Sequence, residues 1–299
     1  MTDLVSLLKQ KGPMIGKELC LQTRSGEFSL WRACSKQEEL TMVSMGSRYL
    51  RLDRQVEGYA RLSPSIMREF SSYTVTGHRS DSGAVHEKAS ALREEISAIS
   101  RRKLTLAADV ARRLVEGSSD RELLAAKTCF IIAGDVVYNM AHAEPRPEQS
   151  TGELVRGSDL DVIVVTENLP PAAAEALDAA MYREKHNLLV NPALKEELDY
   201  LVKDIETVQK QLSFAGFKNM VAAKILHEGC YLYGSRLLFE KIKEMLVDRG
   251  IPAKIGALEE KAARERLDAE AILLGLCSSD SGSGHMNLFY TTEEKEEIF

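Results

Sequence analysis

The chain has 299 residues, 44% of them hydrophobic and 28% charged, and carries a net charge of −6. That length suits two or more cores, the balance is that of an ordinary folded chain, and no apolar run nears the 18 residues of a membrane span. The net charge argues against a uniformly basic nucleic-acid binder, but it is uneven: residues 1–72 hold 11 Lys+Arg against 8 Asp+Glu, and the remainder 28 against 37, so any nucleic-acid contact is expected at the head of the chain.

Leu4, Leu7 and Leu8 mark a helix over residues 4–10, stopped at Gly12-Pro13. Residues 15–21 and 28–37 read as two more helices, the last with Leu30, Trp31 and Cys34 apolar. Leu40 to Met45 and Arg48 to Leu52 alternate around Gly46-Ser47, which predicts a β-hairpin. Three short helices followed by a hairpin resemble a winged helix-turn-helix domain over residues 1–75, with Met45-Gly46-Ser47-Arg48-Tyr49 as the wing. The resemblance implies DNA as a partner, with the third helix in the major groove and the wing on the backbone. Arg32, Lys36 and Arg48 are the candidate DNA contacts, although Glu27, Glu38 and Glu39 share that helix. The same surface would otherwise serve protein contact or dimerisation.

Residues 58–77 read as linker plus a short helix, and His78 to Gly83 as polar turn material. A long helix is expected from Ala84 to Glu116, with Arg101, Arg102 and Lys103 as a basic cluster, read first as a solvated helix face and otherwise as a contact for the phosphates of a nucleotide or nucleic acid. Gly117-Ser118-Ser119-Asp120 ends it and caps the next helix.

Thr128 to Ala133 is a continuous apolar run, hence a buried strand. Gly134-Asp135 follows, opening an expected helix over Val136 to Ala143 with Asp135 as its N-cap. A glycine at such a turn lets the backbone approach a phosphate. Residues 144–152 form a polar Pro/Gly loop, expected to be mobile and to act as a lid or specificity loop near a site. Then comes Arg156-Gly157-Ser158-Asp159-Leu160-Asp161, leading into the strand Val162 to Val165. Strand side chains alternate, so Asp159 and Asp161 face the same side. Two carboxylates beside a dry strand repel one another unless a cation lies between them. A hard, oxygen-liganded ion such as Mg²⁺ (or Mn²⁺) fits that position.

The order strand, Gly turn, helix, Ser-x-Asp-x-Asp-type strand resembles the polymerase-β-type nucleotidyltransferases. The long interval from Gly134 to Asp159 is more similar to their abortive-infection-toxin branch. The likeness covers roughly residues 125–210. Asp135 departs from it, standing where the family has Ser or Gly. The resemblance implies a mixed sheet and metal-dependent transfer of a nucleoside monophosphate from a nucleoside triphosphate, ATP by default, to a hydroxyl acceptor. An RNA end, a protein or a small molecule are all open as that acceptor. It implies metal ligation by Asp159 and Asp161, and a nucleotide seated by Gly134, Asp135, Arg156, Gly157 and Ser158. It also implies a third carboxylate on a later strand.

Pro170-Pro171 starts an alanine-rich helix over residues 172–182, expected to cover one sheet face. Leu194, Leu198, Leu201, Ile205, Val208 and Leu212 repeat at helical spacing, yet Leu198 to Val202 also fits a strand. The strand is favoured because the resemblance needs it, with Asp199 as the third catalytic carboxylate and Asp204 as the alternative. Helices are expected over 221–227, 237–247 and 258–274, with a break at Gly250 and Pro252. Gly229 to Arg236 reads as a second Gly-Ser turn with packing tyrosines. Ser278 to Gly284 reads as a Ser/Gly linker and 291–298 as an acidic tail. Five scattered cysteines without a Cys-x-x-Cys pair, and a first segment without an apolar core, point to reduced thiols and a cytoplasmic protein.

The expected fold is therefore α+β: a winged-helix domain (1–75), a nucleotidyltransferase core (84–215), a helical region (216–277) and a tail (278–299). Nucleotidyl transfer is the leading function. A DNA-binding regulator whose transferase-like domain only senses nucleotide is the alternative, and a partner-binding assembly module a third. An oligomer is compatible with each.

Overall fold

The computed structural model describes residues 3–148, 150–276 and 285–291. The expected linker at 278–284, Cys277 and the tail beyond Thr291 lie outside them. The chain is mixed α+β, and it divides into two compact units, residues 1–95 with 258–299, and residues 96–257. Residues 258–277, which the sequence groups with the preceding helices, thus cluster with the N-terminal unit.

The first unit opens with α1 (Leu4–Lys11), β1 (Met14–Ile15), α2 (Gly16–Thr23), α3 (Glu27–Lys36) and β2 (Leu40–Ser44). It continues through β3 (Tyr49–Leu52), β4 (Ala60–Ser63), α4 (Ile66–Tyr73) and β5 (Thr74–His78), then enters α5 (Ser82–Glu116). Its three-stranded sheet has the order β1-β5-β2, and β3 pairs with β4 alone. The hairpin expected from Leu40 to Leu52 does not form. β2 runs antiparallel to β5, with Met42 opposite Thr76, while β3 runs antiparallel to β4, with Leu50 opposite Leu62. Alternation shows that a segment is a strand without naming its partner. Here Met45 N bonds Tyr73 O at 2.7 Å and the Ser44 and Thr74 hydroxyls meet at 2.9 Å, which carries the chain from β2 onto β5. Of the linker and short helix expected at 58–77, the helix is present as α4 and the linker is replaced by β4 and β5, while Ser82, expected in a turn, already belongs to α5.

The second unit contains the rest of α5, then α6 (Arg121–Lys127), β6 (Thr128–Ile132), β7 (Pro145–Pro147), β8 (Leu154–Arg156), β9 (Leu160–Thr166) and α7 (Pro171–Val190). It continues with β10 (Leu198–Asp204), α8 (Ile205–Gln211), α9 (Phe217–Glu228), β11 (Cys230–Gly234), α10 (Arg236–Asp248) and the start of α11 (Ile251–Gly275). A last turn of helix, α12 (Met286–Phe289), belongs to the first unit. The central sheet has the order β10-β9-β6-β11, with β10 and β9 parallel and the other pairs antiparallel. Phe130, Ile132, Leu160, Val162 and Val164 line one face and pack with Ala107, Val110 and Ala111 of α5 and Leu177 and Met181 of α7. Burying such side chains stabilises the sheet by roughly 1.5–3 kcal/mol each.

Three expectations fail here. No helix spans Val136 to Ala143. A single 3₁₀ turn, Gly134–Val136, is followed by irregular chain. The amides that would close a helix are used elsewhere: Ala141 N donates to Ser100 Oγ and His142 N to Ser158 Oγ, both at 3.2 Å. Gly229 to Arg236 contains strand β11, paired with β6, where a turn was expected. The polar loop at 144–152 is not irregular throughout: its Pro145–Pro147 forms β7, which pairs with β8 just beyond the loop. Glu148 ties its turn by accepting from Ser150 Oγ at 2.7 Å and from Thr151 N at 2.8 Å, and these bonds hold its carboxyl down at about 2.

Candidate metal centre

Two strand pairings assemble the acids. β6 and β9 are antiparallel with Ile132 opposite Val162, so the exit of β6 lies beside the entry of β9, and Ala133 N donates to Asp161 O at 3.0 Å. β9 and β10 are parallel with Asp161 opposite Asp199. Residues paired in register project from the same face. Asp159, two residues ahead of Asp161, shares that side. One carboxylate oxygen from each of Asp159, Asp161 and Asp199 can be chosen so that all lie within 4.8 Å of one another. Asp159 and Asp161 are half-buried and Asp199 is exposed, so the cluster opens to solvent on its β10 side.

Burial first, and then the negative charges of Asp159, Asp135, Asp199 and Glu228, push the Asp161 carboxyl well above the usual range. Asp159 is raised by burial and by Asp135, with Arg146 opposing. A cation among these acids would offset both the burial and the mutual repulsion. The three carboxylates, with one side open, could hold a metal ion through oxygen ligands.

Gly134 closes the site from the β6 side. Its φ is +72°, and a Cβ there would overlap Asp161 Oδ2. The bend therefore needs glycine twice, for its backbone angle and for the carboxylate pressed against it. Its N–H donates to Glu228 Oε1 at 3.3 Å. Glu228 also accepts from Tyr138 Oη at 2.6 Å and pairs with Lys224 at 2.5 Å. Asp135 caps no helix; it accepts from Ser158 Oγ at 2.8 Å. Gly157, φ +65°, lies where a Cβ would overlap His142 O, and Ser158 N bonds that same oxygen at 3.2 Å. Arg156 is exposed, and its backbone N–H donates to Lys195 O at 2.7 Å. Asp204, the alternative third carboxylate, is at the far end of β10 and caps α8, accepting from Thr207 N at 2.6 Å. Asp199 is thus the acid brought to the cluster.

The candidate DNA contacts lie in the other unit. Arg48 pairs with Glu69 at 3.0 Å and Glu270 at 3.1 Å. Arg32 donates to Leu276 O and lies over the Phe28 ring at 5.4 Å. Lys36 is exposed on the last turn of α3.

Several residues of the site carry no sequence signal. Lys103 was expected on a solvated face, yet its side chain is wholly buried. It donates to Arg156 O at 2.8 Å, to Ser158 O at 2.7 Å and to Glu196. One ammonium thereby uses all three donors to fix the loop that delivers Asp159. Arg146 ties the hairpin of β7 and β8 to the same loop, donating to Gly157 O at 2.9 Å and pairing with Glu197 at 2.8 Å. Lys185 on α7 reaches Asp199 at 2.9 Å. Lys103, Arg146 and Lys185 come from α5, β7 and α7, tens of positions apart, and no local pattern marks any of them. No protein-family model matches the chain, and no curated protein matches it significantly.

Proposed function

We propose that the chain is a metal-dependent nucleotidyltransferase that moves a nucleoside monophosphate from a nucleoside triphosphate to a hydroxyl acceptor. The observation that carries this reading is the register of Asp199 beside Asp161, with Asp159 on the same side and the Gly134 bend against them. Asp159, Asp161 and Asp199 would hold Mg²⁺ or Mn²⁺, which when bound supplies charge neutralisation and a lowered hydroxyl pKa. Asp199, the exposed member, faces the acceptor side and takes the hydroxyl proton. Arg156, exposed beside the loop, offsets charge on the leaving pyrophosphate. The Gly134 N–H and the Ser158 hydroxyl seat phosphate oxygens after exchanging their present carboxylate partners, Glu228 and Asp135.

The test is incubation with Mg²⁺ or Mn²⁺ and each α-labelled nucleoside triphosphate, offered RNA, protein and small hydroxyl acceptors. Label transfer is expected, and Asp161→Asn should abolish it while the circular dichroism spectrum stays unchanged. Transfer retained by purified Asp161→Asn would overturn the mechanism.

A second reading has its own support. Both phosphate-seating donors are already engaged by acids, Gly134 by Glu228 and Ser158 by Asp135, which suits a domain that senses nucleotide without turning it over. Saturable binding of a nucleotide with no transfer to any acceptor would select it. On the N-terminal unit, the order α1, β1, α2, α3, β2 with the sheet β1-β5-β2 supports the winged-helix reading, the chain between β2 and β5 standing where a wing would be. With Arg48 and Arg32 engaged, Lys36 is the contact that remains for duplex DNA. Lys36→Ala is expected to lower the salt dependence of any gel shift by about one phosphate's worth.

A further inference from the structure

β10 ends the central sheet. The order β10-β9-β6-β11 gives it one neighbour, β9, and no strand on its other side among the described residues. Glu197 O accepts from Leu160 N at 2.9 Å, so that carbonyl points toward β9. Main-chain groups alternate along a strand, so Asp199, Leu201 and Lys203 also bond β9, while the N–H and C=O of Leu198, Tyr200 and Val202 point away from it. Among the described residues no backbone hydrogen bond links those three to another element. The strand is seven residues long, Leu198–Asp204, and contains no proline to blunt its edge.

Asp199 and Leu201 project from one face of this strand. Asp199 belongs to the acid cluster; its side chain is 50% exposed and pairs with Lys185 at 2.9 Å. Leu201 is 52% exposed, whereas Lys203, next on the same face, is buried. An apolar side chain thus lies open to solvent two positions from the open acid. Outward N–H and C=O groups at strand spacing are matched by another polypeptide main chain, and not by a nucleic-acid backbone, which carries no N–H. A strand added antiparallel would set its residues opposite Asp199 and Leu201 in the closely spaced positions, about 4.5 Å between Cα atoms.

We propose, resting on nucleotidyl transfer at this site, that the acceptor is an extended polypeptide that adds to the free edge of β10, with a serine or threonine opposite Asp199 and an apolar residue opposite Leu201. The hydroxyl oxygen attacks the α-phosphorus of the nucleoside triphosphate and its proton passes to Asp199. The bond from the α-phosphorus to the oxygen bridging the β-phosphate breaks, and pyrophosphate leaves. The product is a phosphodiester joining the seryl or threonyl oxygen to the nucleoside monophosphate.

The probe is a capped, fluorescein-tagged peptide, Lys-Val-Gln-Leu-Gln-Ser-Gln-Val-Lys, beside the same peptide N-methylated at the glutamine between Leu and Ser. The methyl keeps every side chain and removes the donor opposite Tyr200. Anisotropy without nucleotide reads docking to the full chain, and α-labelled nucleoside triphosphates with Mn²⁺ read transfer. Saturable binding and label on the serine are expected for the first peptide, both falling about tenfold or more with the second. Val202→Pro removes one outward N–H and no bond to β9, so it should weaken peptide binding and leave the Mn²⁺-induced Tm shift unchanged. Should Val202→Pro not fold, Leu201→Gln takes its place in the same titration. Equal binding of the two peptides, or none of either at millimolar concentration, overturns the proposal; label passing to RNA or a small hydroxyl compound in the same samples then keeps nucleotidyl transfer and changes the acceptor. Peptide that binds while no acceptor of any kind takes label overturns transfer itself, and the acceptor role with it. A parent dimer that is lost in Val202→Pro identifies the occupant as a second copy and overturns the proposal too.

Discussion

At the scale of single residues, Asp161 and Lys103 oppose one another in what they do for stability. Asp161 is raised well above its ordinary value by burial and by the acids around it. The unfolded chain therefore releases this proton at lower pH than the folded one. The contribution to stability is whole below the unfolded value of 3.8 and is lost as pH rises through the folded value. Without a divalent cation, the parent chain should fall in Tm relative to Asp161→Asn as pH rises from 4 to 8, the variant melting about 2 °C or more higher at pH 8. Mg²⁺ should reverse this, and the Tm shift it produces in the parent should grow over the same interval. Parallel melting curves for parent and variant across that range would refute the acid cluster. Lys103 is the opposite case, a buried cation with its partners in place. Lys103→Met strands Glu196 and two carbonyls, and should cost about 3–5 kcal/mol in urea unfolding. Adding Glu196→Leu should return part of that loss, leaving the cost of the two orphaned carbonyls.

Among the elements, the pairing of β10 with β9 decides the site, and the bend after β6 closes it. Gly134→Ala should remove most of the Mg²⁺-induced Tm shift, because the added methyl displaces the Asp161 carboxylate, while costing the fold only about 1–3 kcal/mol for the strained backbone. Equal cation response in Gly134→Ala and the parent would mean that the bend does not shape the centre. The strand expected at Leu198 to Val202 was favoured only because the family resemblance calls for one, and it spans Leu198–Asp204. Its apolar spacing also fits a helix, and the helical part proved to be α8, directly after Asp204. The Leu40 to Leu52 hairpin and the helix after Gly134 were misread for a shared reason. Local alternation and an apparent cap state what a segment can do, and Tyr73, Ser100 and Ser158 then supply hydrogen-bond partners from tens of residues away.

Over the whole molecule, two cores carry the two units, one around Leu19, Leu30, Trp31 and Phe70 and the other around Phe130, Val164 and Met181. The acid cluster belongs wholly to the second. Phe70→Ala, which empties a fully buried site, should destabilise the first unit by roughly 3–5 kcal/mol. Trp31 fluorescence reads that loss, and Mn²⁺ binding measured by calorimetry below the unfolding range should keep its parent affinity. Loss of Mn²⁺ binding in the still-folded variant would show that the two cores are not energetically separable. Among the described residues no helix is long and apolar enough to cross a membrane.

Segments whose pattern is local and long were readable from the chain alone: the apolar runs of β6 and β9, α5 from Ala84 onward, and the same-side placement of Asp159 and Asp161. The family resemblance, rather than any local pattern, asked for a third acid and left Asp199 and Asp204 as its candidates. Tertiary structure decided the rest. It placed Asp199 opposite Asp161 and sent Asp204 to cap a helix, gave β2 and β3 different partners, buried Lys103 under the loop, and set Glu228 and Asp135 on the donors of the turn. The physical reason is that side-chain period is written into a segment, whereas strand register, buried ion pairs and the partners of loop amides depend on groups distant in the chain, and nothing in the local pattern encodes them.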